Sequence, residues 1–573
     1  MVKNGFLTGF LTLAVLLTLG AVAHAQDDMD FTSEDPGAAL AGDDTAAAPA
    51  AAPPAPVIAA PPPKPSGPPS EALANALRFY QQERYAQAAV QLQRIVQGET
   101  GDEPANVQKA QFFLGKCFYH LKFYQAALGV FEEIALMSTG HIYFHSTLQW
   151  LAQLSRELPE PAGIIGLVGR YGDSVNALQE FKRPQTKDLY NELMYLMGRY
   201  WYQMGEFGKA RSFFMGISPD SELKVNAEFF TGITYVRQRK AMPASKAFLK
   251  IVERYDGQLF LDEDEERFLN LAWLSLARIY YSTKHWDSAI AAWNKVPQSS
   301  EYYLDAQFEE SWAYFQIDNY SRALGNIHTL QSPYFRESFY PEAVILKAVI
   351  FFDQCLYDDA KLVVDQFRKD FEPVKDELQA NLSKFQDNVQ FFEFLRKLRK
   401  AIDDGALEDT DQKTILGLPR GVVYVVKGAL DDRTLLRNLD YVELLEKEAE
   451  KLKKMPAQFV NSTAGQRIMQ DIETAKSVAI DNTGNLARSR YERLLTEIQD
   501  FLNQTTRVEI EILKALRGEL EQEAAAGDEI GRVHAKNAEI SSDEEHVVWP
   551  FQGEYWRDEL GYYRQPVERH CGR

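Results

Sequence analysis

Residues 115–134, GKCFYHLKFYQAALGVFEEI, contain the pattern that decides the fold of this 573-residue chain. A small residue, Gly115, is followed by an aromatic three positions later, by a second aromatic six further on, and then by Ala127 after another three. Apolar residues return four and seven positions beyond Ala127. Small residues at the first and fourth marks let two helices approach closely, and the aromatics fill the space around the contact. The stretch therefore predicts a helix–turn–helix unit.

The same pattern occurs seven times along the middle of the chain. The other six copies begin at Ala76, Gly198, Gly232, Ala277, Ser311 and Ala348. Two steps between successive alanine marks are 34 residues, and steps of 37, 39 and 45 predict longer loops. A gap of 83 residues predicts one degenerate repeat around 148–169, where Pro159 and Pro161 interrupt the second helix. Because one helix pair cannot bury its apolar face alone, the repeats are expected to stack.

This spacing resembles the tetratricopeptide repeat (TPR) family over residues 71–371, a little over half of the chain. The resemblance implies an all-α, TPR-like α-solenoid whose first helices line a protein-binding groove. It also places groove-facing side chains one and four residues after each small first mark, and three before it. The candidate peptide-binding residues are then Lys116, Tyr119, Tyr195, Arg199, Tyr202, Phe229, Arg278 and Tyr281. Tyrosines with a few positive charges predict a peptide of acidic character, and the alternative is packing between adjacent repeats.

The N-terminal end predicts export. Residues 1–25 are interpreted as a signal peptide, because an apolar run at 5–23 follows a single Lys3 and ends on the small-x-small sequence Ala23-His24-Ala25. Retention of this run as an anchor is the alternative. Residues 26–70 are acidic and then Pro/Ala-rich, which predicts a disordered linker. No later stretch is apolar enough to cross a bilayer, so we expect a periplasmic protein with no integral membrane span after cleavage.

Net charge and cysteine content limit the classes of partner and of stabilising bond that the sequence predicts. The formal net charge of −20 argues against nucleic acid and against adhesion to an anionic membrane. Cys117, Cys355 and Cys571 are too few and too scattered to predict a disulfide framework. The sequence therefore predicts a chain that relies on packing rather than on bridges, and that binds protein partners.

Beyond the repeats the pattern changes three times. Residues 372–430 predict a helical cap and connector, in which the β-branched run at 422–426 is either a strand or a buried helical turn. Residues 431–526 predict two long charged helices that form an antiparallel hairpin or a coiled coil; a coiled-coil partner or a homodimer stays open. Residues 527–573 form a tail with six aromatics within Trp549–Tyr563, which either folds back or docks onto another protein.

No catalytic signature is present in the sequence. It contains no zinc-hydrolase, phosphate-loop or nucleophile-elbow motif, and no cofactor or metal site is predicted. A degenerate enzymatic site within Gly405–Gly428 is a remote alternative, because that block lacks His and Cys. The prediction is a non-enzymatic scaffold or adaptor of a cell-envelope complex for outer-membrane assembly, division or motility. A chaperone-like or peptidoglycan-associated adaptor is the alternative.

Overall fold

The computed structural model describes residues 69–335, 338–408, 413–430, 432–526 and 553–571. The predicted signal peptide and nearly all of the predicted linker lie outside these residues. The described chain is almost entirely helical and divides into two compact bodies. The N-terminal body contains residues 69–238 and 433–485, and the C-terminal body contains 239–432 and 486–571.

Sixteen helices form the repeat region, with α1–α9 in the N-terminal body and α10–α16 in the C-terminal body. Their bounds are α1 Glu71–Gln81, α2 Tyr85–Val96, α3 Pro104–His120, α4 Tyr124–Met137, α5 Phe144–Glu157, α6 Ile164–Val168, α7 Lys187–Gln203, α8 Phe207–Met215, α9 Lys224–Arg237, α10 Ala241–Tyr255, α11 Glu263–Ser282, α12 Trp286–Trp293, α13 Tyr303–Gln316, α14 Tyr320–Leu330, α15 Pro341–Asp353 and α16 Tyr357–Leu382. The prediction of an all-α, TPR-like solenoid is confirmed.

A common turn joins the two helices in all seven copies of the pattern. The second helix begins each time at the third mark, which is Tyr85, Tyr124, Phe207, Ala241, Trp286, Tyr320 or Tyr357. Two residues earlier the backbone has a positive φ, between 55° and 73°, at Glu83, Lys122, Gly205, Arg239, Lys284, Asp318 and Cys355. At Lys284 the amide donates to Tyr281 O at 2.9 Å, and the next amide donates to Tyr280 O at 2.8 Å. This paired hydrogen bonding is the Schellman motif that ends a helix at a left-handed residue.

Glycine at the first mark permits the close helix approach that the pattern predicted. A Cβ on Gly115 would lie 2.7 Å from Phe131 Cε1, and a Cβ on Gly198 would lie 2.4 Å from Phe214 Cε1. In both repeats the ring at the fifth mark therefore occupies the space that a side chain at the first mark would need.

The degenerate repeat has a first helix but no regular second one. After α5 the chain makes a short 3₁₀ turn at Glu160–Ala162, then α6, and then further 3₁₀ turns up to Thr186. Pro161 lies within the first of these turns, where its ring and missing amide disfavour a regular helix.

The remaining elements follow the repeats. They are α17 Asn388–Asp403, β1 Thr414–Ile415, β2 Leu418–Pro419, α18 Arg420–Leu430, α19 Arg433–Lys453, α20 Ala457–Val460 and α21 Thr463–Ala526. The two strands pair antiparallel with Ile415 opposite Leu418, across a turn in which Leu416 and Gly417 have positive φ. The run at 422–426 lies in α18, so the helical alternative holds: Val422, Val423 and Val426 are buried.

The two predicted long helices pack within their own chain. In the N-terminal body, Lys476 of α21 lies 3.6 Å from Glu446 of α19, and Val442 and Leu445 of α19 are buried. In the C-terminal body, α21 packs on α16, where Arg368 contacts Glu509 at 2.6 Å. The heptad positions of α21 in this body include Leu494, Ile498, Thr505, Val508 and Ile512, all buried. A coiled-coil partner and a homodimer stay predictions.

A disulfide corrects the expectation that packing alone holds the chain. Cys355 and Cys571 are bonded, with their Cα atoms 5.2 Å apart although they are separated by 216 positions in sequence. Cys117 is free and buried. The prediction was wrong because it used spacing alone, and spacing carries no information about two cysteines brought together by tertiary structure.

The aromatic tail folds back in part. Leu560 is buried, whereas Trp556 and Tyr562 remain 57% and 74% exposed. Trp549 and Phe551 lie outside the described residues. Within the described residues, no helix has the length and apolar character needed to cross a membrane.

Candidate protein-binding site

A partly exposed group of aromatic side chains surrounds one lysine in the N-terminal body. Lys116 Nζ lies 4.8 Å from the ring centre of Tyr80, 4.6 Å from that of Phe113 and 5.2 Å from that of Trp150. We call the group the Lys116 cluster, and its members are Tyr80, Tyr85, Phe113, Lys116, Tyr119, His120 and Trp150.

The cluster is assembled from three successive first helices, α1, α3 and α5, and from Tyr85 at the start of the second helix α2. Rings from adjacent repeats contact one another. Tyr80 packs edge-on against Phe113 with ring centres 5.0 Å apart, and Tyr119 packs edge-on against Trp150 with ring centres 5.2 Å apart. Edge-to-face contacts of this kind fix ring orientation and contribute about 0.5–1.5 kcal/mol each. None of the rings is fully buried, so the cluster is ordered while still presenting surface.

The charge of the cluster resides on Lys116. Partial burial lowers the pKa of its ammonium group from the usual 10.5. Burial, followed by the charge of Lys116, lowers the pKa of His120 from 6.5, so the imidazole is neutral at pH 7. In the described part of the chain, no carboxylate forms an ion pair with Lys116, whose positive charge rests on aromatic faces. A carboxylate brought by a partner would therefore meet an ammonium group that is partly removed from water.

Two of the predicted cations are already paired inside the chain. Arg199 is 7% exposed and donates to both carboxylate oxygens of Glu160, at 3.0 and 3.2 Å. Burial acts to lower the pKa of Arg199, but Glu160 offsets it and the pKa is raised. Arg278, in the C-terminal body, is 8% exposed and contacts Glu309 at 2.6 Å. Internal carboxylates therefore pair with both arginines, and the role of these arginines in peptide binding stays a prediction.

The predicted aromatic residues divide into two groups. Tyr202 and Phe229 are 6% and 1% exposed and belong to the core. They correspond to the alternative of packing between repeats. Tyr119, Tyr195 and Tyr281 are only partly buried and remain candidates. The structure brings Lys116 and Tyr119 together in one cluster, and their role in peptide binding stays a prediction.

Five members of the cluster are absent from the predicted peptide-binding residues. Tyr80 lies four residues after the first mark Ala76, and Tyr85 is itself a third mark, but neither is among those candidates. Phe113 and His120 lie off the positions carried over from the family, and Trp150 belongs to the degenerate repeat, whose phase the sequence does not define. The available signal was the density of aromatic residues on α3, where Phe112, Phe113, Phe118 and Tyr119 flank Lys116.

One depression in the described part of the chain offers little chemistry. It lies beside α17 in the C-terminal body, near the block where the enzymatic alternative was placed. Its lining residues are Ala401, Asp404, Gly405, Ala406, Thr414, Ile415 and Leu416. Asp404 is the one titratable side chain among them, so this lining provides no acid–base pair. In the described residues, no three His, Cys, Asp or Glu side chains are placed to hold a metal ion.

Comparisons with known proteins give only distant matches. No family model matches the chain, and no curated protein matches its sequence. The chain is similar to RapI in its apo crystal structure, at 10% identity over 71% of this chain and 97% of that one, with a TM-score of 0.29. It is also similar to the Cut9-Hcn1 hetero-tetramer of APC/C, at 10% identity over 76% of this chain and 95% of that one, with a TM-score of 0.17. A third match is a circular tandem repeat protein, at 13% identity over 80% and 90% of the two chains, with a TM-score of 0.10. Overall similarity this low carries no argument; the repeated helix pairs and their common turn give the chain a TPR-like repeat fold.

Proposed function

We propose that this chain is a non-enzymatic scaffold that binds protein partners through the first helices of its TPR-like repeats. The Lys116 cluster is the contact for an acidic segment of the partner. The observation that carries this proposal is an ammonium group held over several aromatic rings, with no carboxylate of its own chain paired to it in the described residues.

The energetics favour this use of the cluster. Tyrosine and tryptophan dominate binding energy at protein interfaces, with about 2 kcal/mol or more for a good anchor. Because neighbouring rings already restrain each other, little conformational entropy is lost on binding. A carboxylate facing the partly desolvated Lys116 should be worth more than the ~0–1 kcal/mol of an exposed ion pair.

We place the scaffold in the periplasm, as part of a cell-envelope complex. The apolar run at 5–23 with its small-x-small ending supports export. The Cys355–Cys571 disulfide also supports it, since disulfides persist mainly in oxidising compartments. Detection of the mature chain in a periplasmic fraction, with Gln26 at its N-terminus, tests this part of the proposal.

A peptide-binding measurement tests the site. Fluorescent 15-residue peptides rich in Asp and Glu are titrated with the full chain, beside versions carrying Asn and Gln at the same positions. We expect only the acidic peptides to bind. Lys116→Glu should raise their Kd at least ~tenfold, which is equivalent to about 1.4 kcal/mol of binding free energy. Arg94→Glu is the matched control, because Arg94 is exposed on the second helix α2 and carries the same charge.

Two outcomes would redirect the proposal. Equal binding of acidic and amide peptides, or equal effects of Lys116→Glu and Arg94→Glu, would remove the Lys116 cluster as the binding site. Affinity for isolated glycan strands in place of peptides would assign the chain to the alternative, a peptidoglycan-associated adaptor.

A further inference from the structure

The C-terminal segment, residues 553–571, makes turns at 557–562 and lies on the helices α13 and α14 of its own C-terminal body. Several contacts engage its backbone: Gln565 N donates to Ser321 O at 3.1 Å, and Gly561 N donates to Thr329 Oγ1 at 2.9 Å. At the far end, His570 N donates to Gln354 O at 3.0 Å. These three hydrogen bonds fix the position of the segment along the helices.

A glycine in α14 makes this docking possible. A Cβ on Gly325 would lie 1.8 Å from Tyr563 O and 2.5 Å from Tyr563 C, so the segment rests directly on the helix backbone. Glycine within a helix costs about 1 kcal/mol relative to alanine. The segment itself has Gly561 at a positive φ of 87°, where a Cβ would lie 2.3 Å from Tyr303 Oη. Both surfaces are therefore shaped for each other.

Side chains add specificity to the backbone contacts. Tyr555 stacks on His328 with ring centres 4.7 Å apart, and Tyr563 meets the same imidazole edge-on at 4.9 Å. Leu560 is 3% exposed. We call the surface formed by Tyr303, Gln307, Gly325, His328 and Thr329 the Gly325 site.

One covalent bond ties the segment to the body that carries the site. Cys571 is bonded to Cys355, and both residues are partly exposed. Once this bond is opened, only non-covalent contacts hold the segment, and none of them requires that the segment belong to the same chain. Residues 527–552 separate it from α21. Twenty-six residues can span at most about 90 Å, which is enough to reach a second molecule.

We propose that the Gly325 site binds the C-terminal segment of a second copy of this chain whenever the intramolecular disulfide is open. Exchange of an identical element between copies forms a closed pair with no new interface chemistry. A dithiol reductant opens the bond, giving two protein thiols and one cyclic disulfide of the reductant. Glutathione disulfide then accepts two electrons as Cys571 of one copy bonds to Cys355 of the other, and two glutathione thiols are released.

Two complementary full-length variants test the proposal. Cys355→Ser retains the donor thiol and Cys571→Ser retains the acceptor thiol, so neither variant forms the intramolecular bond. The two are given different mass tags and mixed in a glutathione redox buffer. We expect a covalent heterodimer on non-reducing gels, joined through Cys571 and Cys355 by peptide mapping. Gly325→Ala in the acceptor copy should lower its yield at least ~tenfold.

The controls separate docking from random thiol contact and from misfolding. Gly518→Ala is the matched helix substitution, since a Cβ there would meet nothing within 4 Å, and it should leave the yield unchanged. Alanine favours a helix more than glycine does, so circular dichroism should show Gly325→Ala to be folded. Absence of the heterodimer, or a heterodimer whose yield is insensitive to Gly325→Ala, would overturn the proposal. Mapping of the bond to Cys117 would overturn it as well.

Discussion

The turn between paired helices leads to a prediction about two glycines three residues apart. Gly205 has a φ of 73° in the turn between α7 and α8, and Gly208 lies in the first turn of α8. A Cβ would meet no atom within 4 Å at either position. Gly205→Ala and Gly208→Ala therefore add the same methyl group to equally open surroundings, and they differ only in backbone conformation.

The two substitutions should change stability in opposite directions. An L-residue in the left-handed region costs ~1–2 kcal/mol. Replacing glycine also lowers the conformational entropy of the unfolded chain, which stabilises the folded state by ~0.5–1 kcal/mol. We therefore expect Gly205→Ala to lower the free energy of local unfolding by about 1 kcal/mol. Gly208→Ala, in helical conformation, should raise the same free energy by about 0.5 kcal/mol.

Native-state hydrogen exchange is the appropriate assay, because two bodies in one chain need not unfold together. Amides of α7 and α8 that exchange through local opening should exchange about fivefold faster in Gly205→Ala, since about 1 kcal/mol corresponds to that factor. They should exchange about twofold more slowly in Gly208→Ala. If both variants change protection in the same direction, or if Gly205→Ala has no effect, the left-handed backbone at position 205 does not govern the stability of this turn.

Two further predictions concern packing and pH. Gly198→Ala places a methyl group against the ring of Phe214 and should cost ~1–3 kcal/mol in thermal unfolding; pairing it with Phe214→Leu should recover part of the loss. Burial raises the pKa of Glu448 to about 7, even though the amides of Tyr124 and Gln125 donate to it. Because the folded pKa lies above the unfolded value of about 4.3, Glu448 contributes stability below about pH 4 that is lost as the pH rises through about 7. Glu448→Gln should flatten that part of the stability profile, and an unchanged profile would assign the dependence to other groups.

The turn could be predicted from sequence because every interaction that forms it is local. The third mark starts the second helix because the first helix ends four residues earlier and a left-handed residue lies two residues before the mark. That residue is glycine only at Gly205, so composition alone hides the turn in the other copies. The aromatic and alanine marks predict the turn in those copies, because they are the side chains that pack between the two helices on either side of it.

The accessibility of the predicted cations could not be predicted in the same way. Periodicity tells which way Arg199 and Arg278 point, but their availability depends on carboxylates in the adjacent repeat. Glu160 lies 39 residues before Arg199, and Glu309 lies 31 residues after Arg278. Lys116 occupies the same position in its repeat. It is not paired with a carboxylate in the described residues, because aromatic rings face it from α1 and α5. The distinction lies in the neighbouring repeats, which a pattern considered one copy at a time does not include.

Neither the repeat pattern nor the cysteine spacing alone predicts how the C-terminal segment docks on the last repeat. Cys355 occupies the left-handed position of the turn between α15 and α16, with a φ of 59° and its amide bonded to Phe352 O at 3.0 Å. The preceding residue, Gln354, is the C-cap of α15, and its carbonyl accepts a hydrogen bond from the amide of His570. The C-terminal segment therefore uses a carbonyl that a helix end leaves without an intrahelical partner. The hydrogen bond from His570 depends on the turn after α15, which the repeat pattern predicts. The packing of Tyr563 depends on Gly325, which is not a position of the pattern. Docking of the segment thus requires a folded last repeat, and for that reason the disulfide couples the tail to the integrity of α15 and α16.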